Sequence, residues 1–263
     1  MDRPIPGADG PIMARIYTPS GTGPFPVIVY FHGGGWVIAD RVVYDGGARG
    51  LAKHADAVVV SADYRLAPEN PFPAAWDDAL AVYRWVATNA ASIKGDPKRL
   101  ALAGESAGGN LAVSTAVAAR DAGLTAPLHI VSVYPVGQTG NLMTESYVDS
   151  ANAKPLNKSM IQWFVKHVFA KEDDKKSPRA DLVNANLKGL PPVTIINAQI
   201  DPLRSDGQLL ESALEKAGVK TERRVFDGST HEFFGIAAVV KDAQEAQAYA
   251  GKRLQQAFSN GNK

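Results

Sequence analysis

Two glycine-rich motifs contain the residues best suited to catalysis. Residues 104–108 read Gly-Glu-Ser-Ala-Gly, a G-x-S-x-G pattern that follows the apolar run Leu100–Ala103 and precedes a helical stretch from Ala107. A strand–turn–helix of this kind holds the serine hydroxyl at the tip of a strand, where it is exposed to substrate. Glycines flank the serine because the turn is tight. The motif therefore predicts that Ser106 is a nucleophile.

The second motif, His32-Gly33-Gly34-Gly35, lies upstream and follows the apolar run Val27–Phe31. Its backbone N–H groups are unobstructed by side chains and could stabilise a developing oxyanion. Each motif has a simpler interpretation, since short serine patterns arise by chance and glycines make flexible turns. Both motifs in this order, each after a β-rich run, favour a nucleophile with an oxyanion hole. That combination predicts acyl transfer, most simply ester hydrolysis.

A serine nucleophile needs a base, and the base needs a carboxylate that orients it. Around such a motif the usual chain order is serine, acid, histidine. His231 follows the last predicted strand and a turn, as that order requires. His129 opens an apolar run and His167 lies within a predicted helix, so both are weaker candidates. We therefore predict that His231 is the base.

The orienting carboxylate is expected directly after the preceding strand. Asp201 stands there, and Pro202 gives the chain a rigid exit that suits a carboxylate held still. Asp206 is a rival, but it is more typical of an acidic residue in the first turn of a helix. Asp227 is nearer to His231 in sequence and lies in a turn-rich segment. Asp201 is the prediction.

The elements that must position these residues alternate along the chain. Inner β-rich runs such as Val58–Val60 are continuously apolar, which is typical of a parallel sheet buried on both faces. Strands are predicted at 14–17, 27–31, 57–62, 100–103, 129–134, 193–198 and 221–226, and helices at 46–54, 74–90, 107–122, 158–169, 206–217 and 241–258. The alternation predicts an α/β fold with a mostly parallel central sheet flanked by helices.

One stretch, at about residues 137–190, interrupts this alternation with a single clear helix and a charged run. Long irregular segments in a compact domain are usually functional, so residues 1–263 are predicted to form one domain with a cap inserted there. The alternative is a solvated excursion without a role. Trp163 and Phe164 on the cap helix, and Trp36 beside the triple glycine, are candidate substrate contacts. Each of the three could instead simply pack.

Composition excludes several classes of function. The formal net charge is +1, which gives no nucleic-acid footprint, and the absence of cysteine excludes a thiol nucleophile and thiolate metal sites. No apolar run approaches membrane-spanning length, and no leader is visible after Met1, so we expect no stable membrane association and a cytoplasmic location. No histidine–carboxylate cluster has metal-ligand spacing, and the predicted chemistry needs neither a metal nor an organic cofactor.

Taken together, the motifs resemble those of the bacterial hormone-sensitive-lipase-like (family IV) carboxylesterases, which have the α/β-hydrolase fold. The matching stretches are His32–Trp36, Tyr64–Glu69, Phe72–Ala75, Gly104–Leu111, Asp201–Leu203 and the region around His231. The resemblance implies Ser106 as nucleophile, Asp201 as orienting acid and His231 as base, acting on a small ester. It implies oxyanion-hole N–H groups from Gly33, Gly34 and Ala107. In the family, the Tyr64–Glu69 motif supports the floor of the site.

The chain departs from the family pattern in three places. Glu105 stands where an aspartate commonly precedes the serine, and Glu232 stands where a glycine commonly follows the histidine. A carboxylate there could alter the pKa of the base in either direction. The first predicted strand also begins close to Met1, so half of the usual cap is expected to be missing. We therefore expect a pocket open on one side, a preference for short acyl chains, and exposed apolar surface that a homodimer partner could cover.

Other functions are compatible with the same residues. An amidase, formamidase or lactonase would use the same three groups, and the sequence does not separate it from an esterase. A ligand-binding receptor on an inactive hydrolase scaffold would be expected to lack one of the three, and all are present.

Overall fold

One mixed sheet of eight strands organises residues 1–260, the part of the chain that the computed structural model describes. The strands are β1 (Asp2–Pro6), β2 (Pro11–Tyr17), β3 (Phe25–Phe31), β4 (Val58–Ala62), β5 (Gly95–Glu105), β6 (Ile130–Val133), β7 (Val193–Ile200) and β8 (Thr221–Thr230). Their order is β1-β2-β4-β3-β5-β6-β7-β8. From β4 to β8 every neighbouring pair is parallel, whereas β1–β2 and β2–β4 are antiparallel.

Helices cover both faces of the sheet, which explains why the inner strands are apolar throughout. Within residues 1–260 the α-helices are α1 (Asp45–Ala55), α2 (Ala74–Asn89), α3 (Ala107–Asp121), α4 (Glu145–Asp149), α5 (Lys158–Val168), α6 (Arg204–Lys216) and α7 (Lys241–Asn260). Successive side chains of a strand point to opposite faces. Val29 accordingly packs in the core under α2, α3 and α6, while Ile28 packs in the core under α1 and α7. The predicted α/β fold is confirmed.

The sequence prediction missed β1 and α4 and shortened β5. β1 contains two prolines and lies at the edge of the sheet, where missing N–H donors are tolerated. β5 begins at Gly95, earlier than predicted. Its first half carries Asp96, Lys98 and Arg99, which are exposed or only partly buried, so an apolar run marks only its second half. α4 has only five residues, too few for an apolar period to be seen.

The parallel arrangement brings the predicted site residues to one edge of the sheet. His32 follows β3, Ser106 follows β5, Asp201 follows β7 and His231 lies just after β8. In a parallel sheet all these strands end on the same side, and ligands bind there. The long excursion between β6 and β7, which contains α4 and α5, passes over this edge.

A buried carboxylate on α2 supports the loop beneath this edge. Asp78 is fully buried and accepts hydrogen bonds from the backbone N–H groups of Ala8 at 2.8 Å and Arg65 at 3.0 Å. The Arg65 guanidinium also donates to it from Nε at 2.8 Å. One carboxylate therefore joins α2, the β1–β2 turn and the loop that contains Tyr64.

We expect Asp78→Ala to lower the free energy of unfolding by about 3 kcal/mol, because the Arg65 charge and two backbone N–H donors lose their buried acceptor together. Urea denaturation followed by circular dichroism measures this loss. Asp9→Ala is the matched control, because Asp9 contacts the same Arg65 at 3.3 Å while its side chain is 85% exposed. Equal stability of the two variants would contradict a structural role for Asp78.

Candidate active site

Ser106 occupies a sharp turn between β5 and α3. Its backbone angles are φ 57° and ψ −118°, which a non-glycine residue adopts only when its surroundings enforce them. The Ser106 N–H donates to the carbonyl of Val133 at 2.8 Å, which ties the turn to β6. A Cβ at Gly108 would lie 2.0 Å from the carbonyl oxygen of Phe31, so only glycine allows α3 to approach β3 this closely. The sequence motif is thus explained by the packing of its backbone.

Asp201, His231 and Ser106 form one hydrogen-bonded chain. His231 Nδ1 lies 2.7 Å from Asp201 Oδ2, and His231 Nε2 lies 3.0 Å from Ser106 Oγ. The other oxygen of Asp201 accepts the N–H of Leu203 at 2.8 Å. Asp201 is fully buried, and the other two are nearly so. The order nucleophile, base, orienting acid is the one needed to activate a serine hydroxyl.

The rival residues lie elsewhere and have other partners. The buried Asp206 accepts the N–H of Gly137 at 3.0 Å, and burial raises the pKa of its carboxyl to about 8 despite that hydrogen bond. Asp227 is exposed. Buried His129 lies with Nε2 2.9 Å from Thr194 Oγ1, and His167 contacts the carbonyl of Trp163 on its own helix. None of them joins the chain formed by Ser106.

Backbone N–H groups are present in the glycine loop after β3 and at the first residue of α3. Those of Gly33, Gly34 and Ala107 donate to no acceptor within residues 1–260. The carbonyls beside them are held from below, because Tyr64 Oη donates to the carbonyl oxygens of His32 at 2.9 Å and Gly33 at 3.1 Å. The Tyr64 ring also stacks on the His32 ring with centroids 4.2 Å apart. Tyr64 thereby positions the glycine loop without reaching the pocket.

Glu105, directly before the serine, is fully buried between two tyrosines. The hydroxyls of Tyr30 and Tyr134 donate one hydrogen bond to each of its carboxylate oxygens. Burial, together with the negative charge of Glu232, raises the pKa of Glu105 to about 7, and the two tyrosine hydrogen bonds oppose a further rise. No sequence motif pointed to these two tyrosines, because they lie 75 and 29 residues from Glu105 along the chain.

Glu232 places a second carboxylate beside the base. Its Oε1 lies 3.6 Å from His231 Nε2 and accepts the hydroxyl of Tyr44 at 2.6 Å. Burial lowers the pKa of His231, but Asp201 and, more weakly, Glu232 and Glu105 raise it, and the net shift is upward. Glu232, which stands where the family commonly has glycine, therefore favours the imidazolium form of His231.

The serine and the histidine open into an apolar pocket of about 470 Å³. Its walls come from the loop after β3, the residues after His231 and the excursion between β6 and β7. They are Gly34, Gly35, Trp36, Ile38, Ala39, Val43, Tyr44, Glu105, Val136, Gln138, Pro155, Leu156, Met160, Ile161, Phe164, Val165, Leu203, Glu232, Gly235 and Ile236. Two of the three aromatic candidates, Trp36 and Phe164, are among them. Trp163 is not; it is 46% exposed and packs against His167.

A search of the described residues gave neither a metal-binding cluster nor a membrane-spanning helix. Within residues 1–260, no three His, Asp or Glu side chains converge closely enough to hold a metal ion. No helix in the same range combines the length and the apolar character needed to cross a bilayer.

Comparison with known proteins identifies close relatives. Residues 28–235 match the family described as alpha/beta hydrolase fold. Carboxylesterase NlhH of Mycobacterium tuberculosis is 40% identical over 247 residues, which are 91% of this chain and 77% of that protein. Ethyl acetate hydrolase of Pseudomonas putida is 32% identical, with 92% and 77% covered. The solved structure of a hyperthermophilic esterase from Pyrobaculum calidifontis superposes with a TM-score of 0.94 at 38% identity, over 97% of this chain and 85% of that one.

The two carboxylates beside His231 predict how its ring titrates. We expect a pKa above the ordinary value of about 6.5, so the ring loses its proton at a higher pH than a free imidazole. Glu232→Gln should move this midpoint to lower pH, because it removes a negative charge that stabilises the imidazolium. Two-dimensional NMR of the imidazole protons, recorded against pH, measures both midpoints. An unchanged or higher midpoint in Glu232→Gln would contradict the electrostatic coupling.

Proposed function

The chain belongs to the alpha/beta hydrolase fold family, to its hormone-sensitive-lipase-like branch, and from this premise we propose that it is a carboxylesterase that works through an acyl-serine intermediate on Ser106. The observation that carries the proposal is the continuous chain from Asp201 through His231 to Ser106 at the floor of an apolar pocket. Relatives named as carboxylesterases and esterases support the reaction class.

The proposed first step is attack by Ser106 on the carbonyl carbon of the ester. As Oγ forms the new bond, its proton passes to Nε2 of His231, 3.0 Å away. The tetrahedral intermediate then collapses, the bond to the alcohol oxygen breaks, and Nε2 returns the proton to that oxygen. Water enters, gives a proton to the same nitrogen and attacks the carbonyl carbon of the acyl-serine. The bond from that carbon to Oγ then breaks, Nε2 returns the proton to Oγ, and the acid leaves with Ser106 and His231 restored.

Asp201 is proposed to hold the imidazole in the tautomer that leaves Nε2 free to accept a proton. Its Oδ2, 2.7 Å from Nδ1, requires a proton on that nitrogen, and its full burial keeps water from competing. When Nε2 is also protonated, the ring is positive and the adjacent carboxylate stabilises it. The same geometry supplies orientation and charge stabilisation together.

The N–H groups of Gly33, Gly34 and Ala107 are proposed as the oxyanion hole. None of the three has an acceptor among residues 1–260, and Ala107, directly after Ser106, begins α3, whose N-terminus carries partial positive charge. One such donor typically lowers the barrier by about 3 kcal/mol. Positive φ at Gly34, 91°, turns its peptide in a way that a larger residue would resist.

The segment at about residues 137–190 is proposed to act as a cap, and the pocket to favour short acyl chains. The segment supplies one wall through α5, while the rim formed by Ile38, Val43 and Ile236 is open, with Val43 70% exposed. A chain longer than the pocket would lie over this rim and bury only part of its surface. A relative that is named for hydrolysis of ethyl acetate supports the same preference.

We expect Ser106→Ala to reduce kcat/KM for a chromogenic acetate ester by about 10⁴-fold or more while the fold is unchanged, because only the oxyanion hole and substrate binding remain. Steady-state kinetics and circular dichroism are the measurements. An organophosphate should also add covalently to Ser106, which mass spectrometry detects. An active and folded Ser106→Ala variant would exclude the proposed nucleophile.

The base can be tested with a matched pair of histidine variants. His231→Ala should lose as much activity as Ser106→Ala, since residues of such a chain act as a unit. His167→Ala should retain activity, because the hydrogen bond and the ring contact of His167 are both with Trp163 on its own helix, and His167 does not line the pocket. The reverse pattern would contradict the assignment.

The acyl preference is tested with a series of chromogenic esters from acetyl to dodecanoyl. We expect kcat/KM to be highest between acetyl and about hexanoyl and then to fall, since each methylene without a wall forfeits up to about 0.8 kcal/mol of burial. A value that keeps rising to dodecanoyl would point to a deeper tunnel. A matched anilide in the same assay distinguishes an esterase from an amidase.

A further inference from the structure

Apart from His231, the acidic and basic side chains that line the pocket are all carboxylic acids. The ionisable lining residues are Glu105, His231 and Glu232, and no lysine or arginine of residues 1–260 is among the lining side chains. Glu105 is fully buried and bonded to two tyrosines, so it does not meet a ligand directly. The side chain of Glu232 is 39% exposed and faces the pocket. A substrate therefore meets one accessible carboxylate.

The position of Glu232 relative to His231 indicates which part of a bound ester lies beside the Glu232 carboxylate. Nε2 of His231 has two oxygen neighbours, Ser106 Oγ at 3.0 Å and Glu232 Oε1 at 3.6 Å. In the proposed reaction the alcohol oxygen must approach Nε2 to receive its proton as it leaves. The carboxylate that borders this nitrogen therefore borders the alcohol part of the ester rather than the acyl part.

The carboxylate is held in place but is not neutralised. Tyr44 Oη donates to Oε1 at 2.6 Å, and the backbone of Glu232 adopts a positive φ of 69° that few residues accept without a constraint. Apart from the contact with His231, Glu232 forms no ion pair with any cationic side chain in residues 1–260. A ligand therefore meets no lysine or arginine of this range that competes with it for the carboxylate.

The remaining walls suit a cation with an apolar surface. Tyr44, Trp36, Phe164 and Ile236 line the same pocket as the carboxylate. Aromatic rings attract ammonium groups through their negative faces, and rings combined with a carboxylate are a general solution for binding alkylammonium ions. An anionic group at the same place would be repelled by Glu232 and would find no lysine or arginine.

From this arrangement we infer that Glu232 is a specificity-determining residue that selects esters whose alcohol part carries an ammonium group. The inference rests on the proposed function, because it assigns the alcohol side of that same reaction. The alternative is that Glu232 acts only on the protonation of His231, in which case its removal affects every ester alike.

The test compares two acetate esters of equal shape. Choline acetate carries a quaternary nitrogen, and 3,3-dimethylbutyl acetate has a carbon atom at the same position. With the wild-type chain we expect kcat/KM for the choline ester to exceed that for the neutral ester by about tenfold, the scale of one partly exposed charge pair. Both rates are measured by acid release at a pH where His231 is neutral in every variant.

Glu232→Gln should bring this ratio close to one while hydrolysis of the neutral ester continues, because glutamine can still accept the Tyr44 hydroxyl. Glu222→Gln is the matched control. Glu222 also accepts a tyrosine hydroxyl at 2.6 Å, from Tyr249, but it lies outside the pocket, so its loss should leave the ratio unchanged.

A ratio near one in the wild-type chain, or a ratio that survives Glu232→Gln, would overturn the inference. Failure of the proposed function gives a different result, since neither ester would then be hydrolysed in a manner that depends on Ser106. If Glu232→Gln lowered hydrolysis of both esters equally and left their ratio unchanged, Glu232 would act only on the protonation of His231. That result would also overturn the inference.

Discussion

The hydrogen bond between Asp201 and His231 is the interaction on which the site depends. A carboxylate with no exposed surface is costly unless it is fully hydrogen-bonded, and Asp201 meets this requirement through the imidazole and the N–H of Leu203. The two residues follow β7 and β8, whose parallel pairing extends to Ile200 and Thr230 at the very ends of the strands. The register of these strands therefore sets the distance between Asp201 and His231.

Around this pair the structure collects more negative charge than the chemistry alone requires. Glu105 and Glu232 both raise the pKa of His231, and no lysine or arginine of residues 1–260 lines the pocket to offset them. Neutral tyrosine hydroxyls stabilise both carboxylates instead. Glu232 therefore lies in the pocket without a lysine or arginine partner from the described residues, beside the imidazole of His231, whose pKa it raises. The pKa of Glu105 is raised to about 7, mainly through burial.

Close packing around Ser106 leaves no room for a side chain at two nearby glycines. A Cβ at Gly108 would collide with the carbonyl of Phe31, and one at Gly47 would lie 1.9 Å from Glu105 Oε1. These two positions must therefore be glycine for α3 to approach β3, and α1 to approach the buried carboxylate, this closely. The apolar pocket then needs only one further wall, which α5 and the residues before it provide.

Local pattern alone was enough to predict the α/β alternation, the serine motif and the order of Ser106, Asp201 and His231, because each depends on residues adjacent in the chain and on where strands end. Those three residues meet in the structure, and Trp36 and Phe164 line the pocket. Tyr44 and Tyr134 had no such signal. They reach Glu232 and Glu105 from 188 and 29 residues away, and no periodicity encodes a contact across elements.

Only the tertiary structure could decide that Trp163 lies outside the pocket, and that Asp206 is buried against Gly137 instead of beside His231. Both outcomes depend on how α5 and α6 rotate about their axes, which is determined by the cores they pack against.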